Sequence, residues 1–129
     1  MRVMVTGSRG FEKKLVVRAE LLLFVLDGEE THFILGDCKT GVDKIALEFC
    51  ENKKIKHTVY QADWNGLGSG AGPSRNARMI QHGKPDIVLA FWDGKVLRSG
   101  TLDSITQAIK AGVRVEITPV PEHTVKMDS

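Results

Sequence analysis

DIVLAFW (residues 86–92) is the stretch that decides the fold. After Asp86 every residue is apolar, and the absence of alternation is typical of a strand buried on both faces of a parallel sheet. Shorter runs of strand-forming residues are spaced along the rest of the chain and predict the other strands: RVMVT (2–6), HFIL (32–35), HTVYQ (57–61) and VRVEI (113–117). The chain is therefore expected to form a sheet of several strands in which DIVLAFW is buried on both faces.

Apolar residues at helical spacing separate these strands. The first predicted helix is expected to bury Leu15, Ala19, Leu22, Leu23 and Leu26. The second carries Val42, Ile45, Ala46, Phe49 and Cys50, and the last carries Leu102, Ile105, Ala108 and Ile109. A glycine-rich loop is predicted over 65–72, followed by a short helix whose first turn contains Pro73.

The alternation of strand and helix predicts an α/β fold. We expect a Rossmann-like three-layer sandwich with a central, mostly parallel sheet of about five strands. Residues 1–118 are predicted to form one domain, and residues 119–129 a flexible C-terminal tail.

Composition and net charge limit the kinds of partner and the cellular location that can be expected for this chain. The 129 residues carry 18 Lys+Arg against 16 Asp+Glu, a net charge of +2, which argues against nucleic acid as a partner. MRVMVTG lacks the apolar core of a signal peptide, and no run approaches the roughly 18 apolar residues that cross a bilayer. We expect a cytoplasmic protein with no membrane association, in which Cys38 and Cys50 are reduced thiols. No spacing indicates a metal site, and no cofactor is expected.

In doubly wound sheets, ligands bind beyond the carboxyl ends of the strands. The loops predicted there all contain glycine: TGSRG (6–10), GDCKTG (36–41), ADWNGLGSGAGP (62–73) and WDGKVLRSGT (92–101). Free N–H groups near helix starts could hold an anion, although a single glycine turn would need no ligand to explain it. Neither known phosphate loop is present, because GSRGFE has the wrong glycine spacing for a dinucleotide fold and Val42 replaces the P-loop lysine.

AGPSRNARM (71–79) places two arginines near a predicted helix start. Cations there oppose the helix dipole, whereas a bound phosphate would reverse the sign of that interaction. Arg75 and Arg78 are therefore predicted to bind an anion, with a solvated or acid-paired surface as the alternative. Arg9, just after the first strand, is expected to reach the same rim.

Other candidates lie in the same loops. Trp64 and Trp92 are predicted either to stack on a nucleobase or to cover the edge of the core. Asp103 is predicted in the first turn of the last helix, where a carboxylate complements the dipole even without a function. The remaining candidate ligand-binding residues are Gly7, Ser8, Gly36, Asp37, Asn76, Ser99, Gly100 and Thr101.

The motifs TGSR, GDCKTGVDKIA, ADW, AGPSRNARM, DIVLAFW and SGTLDSITQAIKAG, in this order, resemble the YspA-like (cpYpsA-related) members of the SLOG superfamily. That superfamily includes the DNA-processing protein DprA and the LOG-type phosphoribohydrolases. The resemblance runs from residue 1 to about residue 117. It implies a nucleotide-binding Rossmann-like domain that assembles as a homo-oligomer, a dimer or larger.

One segment departs from the LOG-type pattern GGxGTxxE. Here it reads RSGTLDS, so Ser104 occupies the glutamate position and Asp103 lies one residue early, rotated by about 100° on a helix. The first prediction is a binding domain that holds the phosphate of a nucleotide or nucleotide derivative at helix N-termini. The alternative is a hydrolase of the glycosidic bond in nucleoside 5'-monophosphates, with Asp103 and Arg75 as catalytic residues.

Overall fold

The computed structural model describes residues 1–11, 13–27, 29–92 and 100–119. The strands are β1 (Arg2–Gly7), β2 (His32–Gly36), β3 (His57–Tyr60), β4 (Ile87–Trp92) and β5 (Arg114–Pro119). The helices are α1 (Lys14–Leu26), α2 (Gly41–Lys53), α3 (Trp64–Leu67), α4 (Ala71–Gln81) and α5 (Gly100–Lys110), with a 3₁₀ turn at Gly68–Gly70. The predicted loop at 93–99 and the predicted tail from residue 120 onward lie outside the described residues.

The five strands form one parallel sheet in the order β3-β2-β1-β4-β5. The chain builds outward from β1 to β3 and then returns to place β4 on the other side of β1. Strand order therefore reverses between β1 and β4, where Thr6 pairs with Ala90 and Gly7 with Phe91. The predicted fold class is confirmed, and the reversal marks the edge where ligands bind in such folds.

The continuous apolar run of β4 reflects burial on both faces. Ile87, Leu89 and Phe91 join the core beneath α1 and α2, whereas Val88 joins the core beneath α4 and α5. This alternation follows from the two-residue period of a strand. Among the described residues, no helix has both the length and the apolar character needed to span a membrane.

The prediction for the buried face of α1 is wrong. Val17 and Leu21 are fully buried, whereas Leu15, Leu23 and Leu26 are 78%, 64% and 69% exposed. Apolar residues occur nearly all round this helix, so the period alone did not determine which face meets the sheet.

The predicted loop at 65–72 is also wrong, because the segment is helical. The Asp63 carboxylate caps α3 by accepting a hydrogen bond from the Gly66 N–H at 2.9 Å. The helix α4 then begins at Ala71, which makes Pro73 its third residue and places Arg78 in its last turn. Pro73 is tolerated there because the first four N–H groups of a helix have no partner within it. Arg78 thus lies near the negative end of the helix dipole, not near the positive end.

Candidate functional site

A cavity of about 460 Å³ opens at the carboxyl ends of β1, β2 and β4, where strand order reverses. Its volume is in the range of small-molecule pockets. Most of the predicted ligand-binding residues line it: Gly7, Ser8, Arg9, Gly36, Arg75, Asn76, Trp92, Gly100 and Thr101. Thr6, Cys38 and Asp43 also line it, although the sequence did not single them out as ligand-binding.

The loop after β1 forms one wall and is fixed by its own hydrogen bonds. The Ser8 N–H donates to the Phe91 carbonyl at 3.3 Å, and the Ser8 carbonyl accepts from the Val42 N–H at 3.2 Å. A Cβ on Gly7 would lie 2.4 Å from Cγ2 of Val42, so only glycine fits between this strand end and α2. Because these N–H groups are already used, the loops after β1 and β2 offer fewer free donors to an anion than predicted.

Arg75 is held in place from two sides. Its Nη1 donates to Oδ1 of Asp37 at 2.7 Å, and its Nε donates to Oδ1 of Asn76 at 3.0 Å. The Arg75 side chain is only 11% exposed. A planar guanidinium fixed at two of its nitrogens can present its remaining N–H groups to a ligand without losing much conformational entropy.

Gly36 allows two charged side chains to approach the end of β2. A Cβ at this position would lie 2.6 Å from Oδ2 of Asp43 and 2.9 Å from Nη1 of Arg75. The missing side chain therefore leaves space for both groups at the cavity wall.

Asp43 is the half-buried carboxyl group that lines the cavity. It is the third residue of α2, and its Oδ2 accepts a hydrogen bond from the Cys38 N–H at 3.1 Å. Burial raises the pKa of Asp43, while the Cys38 N–H and the positive charge of Arg75 act in the opposite direction. Asp43 was not among the residues predicted from the sequence to bind a ligand. Its position two residues after Gly41 was the available signal, but its proximity to Arg75 depends on the tertiary fold.

Asp37 and Asp103 do not line the cavity but support residues that do. Oδ1 of Asp37 binds Arg75, and Oδ2 accepts from the Ala62 N–H at 3.1 Å. Oδ2 of Asp103 accepts from Asn76 Nδ2 at 3.0 Å and from Gln107 Nε2 at 2.8 Å. Asp103 therefore links α4 to α5 behind the cavity.

Arg75 and Arg78 are not brought to one anion site. Nη2 of Arg78 donates to the Gln61 carbonyl at 2.5 Å, beside the end of β3 and away from the cavity lining. The second arginine at the cavity is Arg9, whose guanidinium carbon lies 5.6 Å from the centre of the Trp64 ring. Trp64 is 47% exposed and lies outside the lining.

Two further features lie at the cavity or just beneath it. The buried indole N–H of Trp92 has no acceptor within the ranges that the structure describes. Ser104, at the position of the LOG-type glutamate, is fully buried, and its Oγ lies 3.5 Å from the hydroxyl oxygen of Thr6.

Ser99, which was also predicted to bind a ligand, lies outside the described residues. Across the described ranges, no group of three or more His, Cys, Asp or Glu side chains could hold a metal ion.

Comparisons with known proteins agree with this architecture. A family model described as "YspA, cpYpsA-related SLOG family" matches residues 1–66. "Gene 61 protein" of Mycobacterium phage D29 is 30% identical over 125 residues, which cover 88% of this chain and 93% of the phage protein.

Among solved structures, the chain is similar to UDP-GlcNAc 2-epimerase from Neisseria meningitidis, determined with UDP-GlcNAc bound. The TM-score is 0.55 at 17% identity, and the match covers 91% of this chain. The chain spans only 32% of the length of the epimerase. At this level of identity, the likeness shows a shared fold alone.

Proposed function

The chain belongs to the YspA, cpYpsA-related SLOG family, and we propose that it binds a nucleotide or nucleotide derivative in the cavity described above. One observation carries the proposal: Arg75 is fixed by Asp37 and Asn76 at the wall of a glycine-lined cavity, where the strand order of the sheet reverses. Such an edge binds nucleotides in many doubly wound folds.

In this proposal the phosphate lies between Arg75 and the start of α5. Gly100 and Thr101 both line the cavity and are the first two residues of that helix. Their N–H groups point along the helix axis at its positive end, and Arg75 adds a charge-assisted fork of donors. Arg9 would supply a second positive charge at the cavity.

The rest of the ligand would extend towards Asp43 and Trp92. The Trp92 indole could cover a base or donate its N–H to it. Asp43 is suited to a sugar hydroxyl, because a carboxylate oxygen accepts a hydrogen bond from a hydroxyl group.

A thermal-shift screen tests the proposal with nucleoside 5'-monophosphates, the matching nucleosides and UDP-GlcNAc as ligands. A ligand that binds only the folded protein, present at 100 times its Kd, stabilises the fold by about 2.7 kcal/mol. We expect phosphorylated ligands to raise the melting temperature and nucleosides to have much less effect. If no phosphorylated ligand stabilises the wild type, the proposal is wrong.

Two arginine variants locate the phosphate. Arg75→Lys keeps a positive charge beside Asp37 but removes the planar fork, so nucleotide affinity should fall by about tenfold or more. Arg78→Ala is the matched control, because Arg78 binds the Gln61 carbonyl away from the cavity. Equal loss of affinity in both variants would contradict the placement of the phosphate at Arg75.

A second candidate function is hydrolysis of the glycosidic bond in nucleoside 5'-monophosphates. The observation that favours it is the half-buried Asp43 carboxyl group in the cavity, because burial raises its pKa and so favours the protonated form that a general acid needs. Asp103, by contrast, has its Oδ2 occupied by two amide groups. Chromatography of the free base tests this function: activity lost in Asp43→Asn and retained in Asp103→Asn would assign the acid to Asp43. The absence of base release by the wild type would exclude it.

A further inference from the structure

A single amide group, that of Asn76, links Arg75 to the last helix. Its Oδ1 accepts a hydrogen bond from Arg75 Nε at 3.0 Å. Its Nδ2 donates to Oδ2 of Asp103 at 3.0 Å and, more weakly, to the Gly100 carbonyl at 3.4 Å. Asn76 is 3% exposed, so water has little access to these groups. The amide therefore connects the guanidinium at the cavity wall with two residues in the first turn of α5.

The neighbours of the Asn76 amide determine which way it points. Nε of Arg75 can only donate a hydrogen bond, so it requires the amide oxygen. A carboxylate oxygen and a backbone carbonyl oxygen only accept, so Asp103 and Gly100 both require the amide nitrogen. In the flipped orientation, the amide N–H groups would face the Nε–H of Arg75 and the amide oxygen would face the carboxylate. Such a flip would leave buried polar groups without partners, which is costly.

We propose that Asp103 is a positioning residue for Arg75: its carboxylate holds the Asn76 amide in the orientation that fixes the guanidinium. The inference rests on the proposed function, in which Arg75 binds the phosphate of the ligand. Asp103 is the nearer of the two acceptors at Nδ2, and its charge makes that hydrogen bond the stronger one. Asp103 does not line the cavity, so it acts through Asn76 and not on the ligand.

The second contact on the Arg75 guanidinium is the one that depends on Asp103. Asp37 binds Nη1 at 2.7 Å, and a single contact at that nitrogen leaves the guanidinium plane free to turn about it. The bond from Nε to Asn76 fixes the plane, and three N–H groups on Nη1 and Nη2 then remain for a ligand. Without Asp103, the Asn76 amide can flip and this second contact is lost. Binding would then have to order the arginine side chain, which lowers affinity.

The charge of Asp103 by itself predicts the opposite effect on binding. Removing a carboxylate makes the surroundings of the cavity more positive, which should strengthen the binding of an anion. A role limited to joining α4 and α5 would change the stability of the fold, but it would leave Arg75 in place in the folded chain. Weaker anion binding by folded Asp103→Ala is therefore the result that distinguishes positioning from both.

The NMR signal of the Arg75 Nε–H group tests the proposal without a ligand. The signal is identified by its absence in Arg75→Lys. The Arg75 side chain is only 11% exposed and its Nε–H is hydrogen-bonded, so exchange of this proton with water should be slow. We expect exchange to become about tenfold faster or more in Asp103→Ala. In Asp103→Asn it should stay close to the wild-type rate, because the new amide oxygen can accept from Asn76. Wild-type exchange in Asp103→Ala would overturn the proposal.

Gln107→Ala is the matched control. Nε2 of Gln107 donates to the same Oδ2 of Asp103 at 2.8 Å and to the Pro73 carbonyl at 3.1 Å, so it also joins α5 to α4. Its removal should lower the stability of the fold but leave the Asn76 amide facing Asp103. The Arg75 Nε–H should then exchange at the wild-type rate. Equally fast exchange in Gln107→Ala and Asp103→Ala would show that helix packing, and not the amide orientation, holds the guanidinium.

Inorganic phosphate tests the consequence for binding, with the chemical shift of the same NMR signal as the readout. We expect the Kd for phosphate to rise about tenfold in Asp103→Ala and to change by less than about twofold in Asp103→Asn. A phosphate affinity in Asp103→Ala that equals or exceeds that of the wild type overturns the proposal. If phosphate does not bind the wild type, the placement of a phosphate at Arg75 is wrong, and the exchange rates still decide whether Asp103 positions Arg75.

Discussion

Gly36→Ala separates the proposed role of Arg75 in ligand binding from its role in folding. The new Cβ would lie 2.6 Å from Oδ2 of Asp43 and 2.9 Å from Nη1 of Arg75, so at least one of these groups must move. Asp43 is held by the Cys38 N–H at 3.1 Å, and Arg75 by Asp37 at 2.7 Å. The structure gives no positive φ at Gly36, so the perturbation is steric.

The expected change in stability is small. Both atoms in the way are the ends of side chains, which can shift more easily than backbone, and replacing glycine by alanine also removes entropy from the unfolded chain. We expect the free energy of unfolding to fall by no more than about 2 kcal/mol. For a chain of 129 residues, this corresponds to a melting temperature lowered by less than about 10 °C.

The expected change in ligand affinity is larger. Displacing the Arg75 guanidinium removes a hydrogen bond between charged groups, worth about 1.5–3 kcal/mol, which corresponds to roughly a 10- to 150-fold rise in Kd. Isothermal titration with the nucleoside monophosphate that most stabilises the wild type measures it, after circular dichroism has shown that the variant is folded.

Gly70→Ala is the control for Gly36→Ala. Gly70 has a φ of −80°, and a Cβ there would have no neighbour within 4 Å. Its affinity should equal that of the wild type. A folded Gly36→Ala chain with wild-type affinity would refute the reasoning, because it would show that the ligand does not depend on the position of Arg75.

Other predictions concern the surroundings of the cavity. Burial raises the pKa of Asp43 above 3.8, so between the unfolded-state pKa and the folded-state pKa the folded protein binds more protons than the unfolded chain. The stability of the fold therefore decreases as pH rises through that window. Asp43→Asn should reduce this pH dependence and raise the melting temperature at neutral pH. Asn76→Ala removes a buried amide and should lower the free energy of unfolding, measured by urea denaturation, by about 1–3 kcal/mol. Asn52→Ala, at an exposed position, should lower it by less than about 0.5 kcal/mol. Cys38 should react with a thiol reagent in the folded protein, and bound nucleotide should protect it. Cys50 should react only on unfolding, because burial raises its pKa to about 12. Equal reactivity of both thiols in the folded chain would contradict this last expectation.

The fold could be predicted because its signals are local. The uninterrupted run of β4, the strand-forming segments and the helical spacing between them each lie within a few residues of sequence. The face that each helix buries against the sheet was less predictable. In α1 both faces are apolar, and only packing against the sheet selects Val17 and Leu21 over Leu15 and Leu26.

The start of α4 shows a limit of the same kind. Pro73 is compatible with any position in the first turn, because none of the first four N–H groups has a partner within the helix. The predicted helix begins at Pro73, after a loop that ends at residue 72, whereas Pro73 is the third residue of α4. Because α4 ends at Gln81, Arg78 belongs to its last turn, so the prediction of two arginines near the helix start holds only for Arg75.

The partners of Arg75 change the electrostatic interpretation of the site. The sequence suggested a cation strained by the helix dipole until a phosphate arrived. In the structure, Asp37, which is 38 residues away in the chain, already compensates the charge, and Asn76 fixes the plane of the guanidinium. The charge of the arginine is therefore compensated within the protein, and its guanidinium is already positioned for the proposed ligand. Such a site gains affinity by avoiding the entropy of ordering a long side chain, not by relieving repulsion. Removing Asp37 should consequently weaken nucleotide binding, even though it would make the cavity more positive.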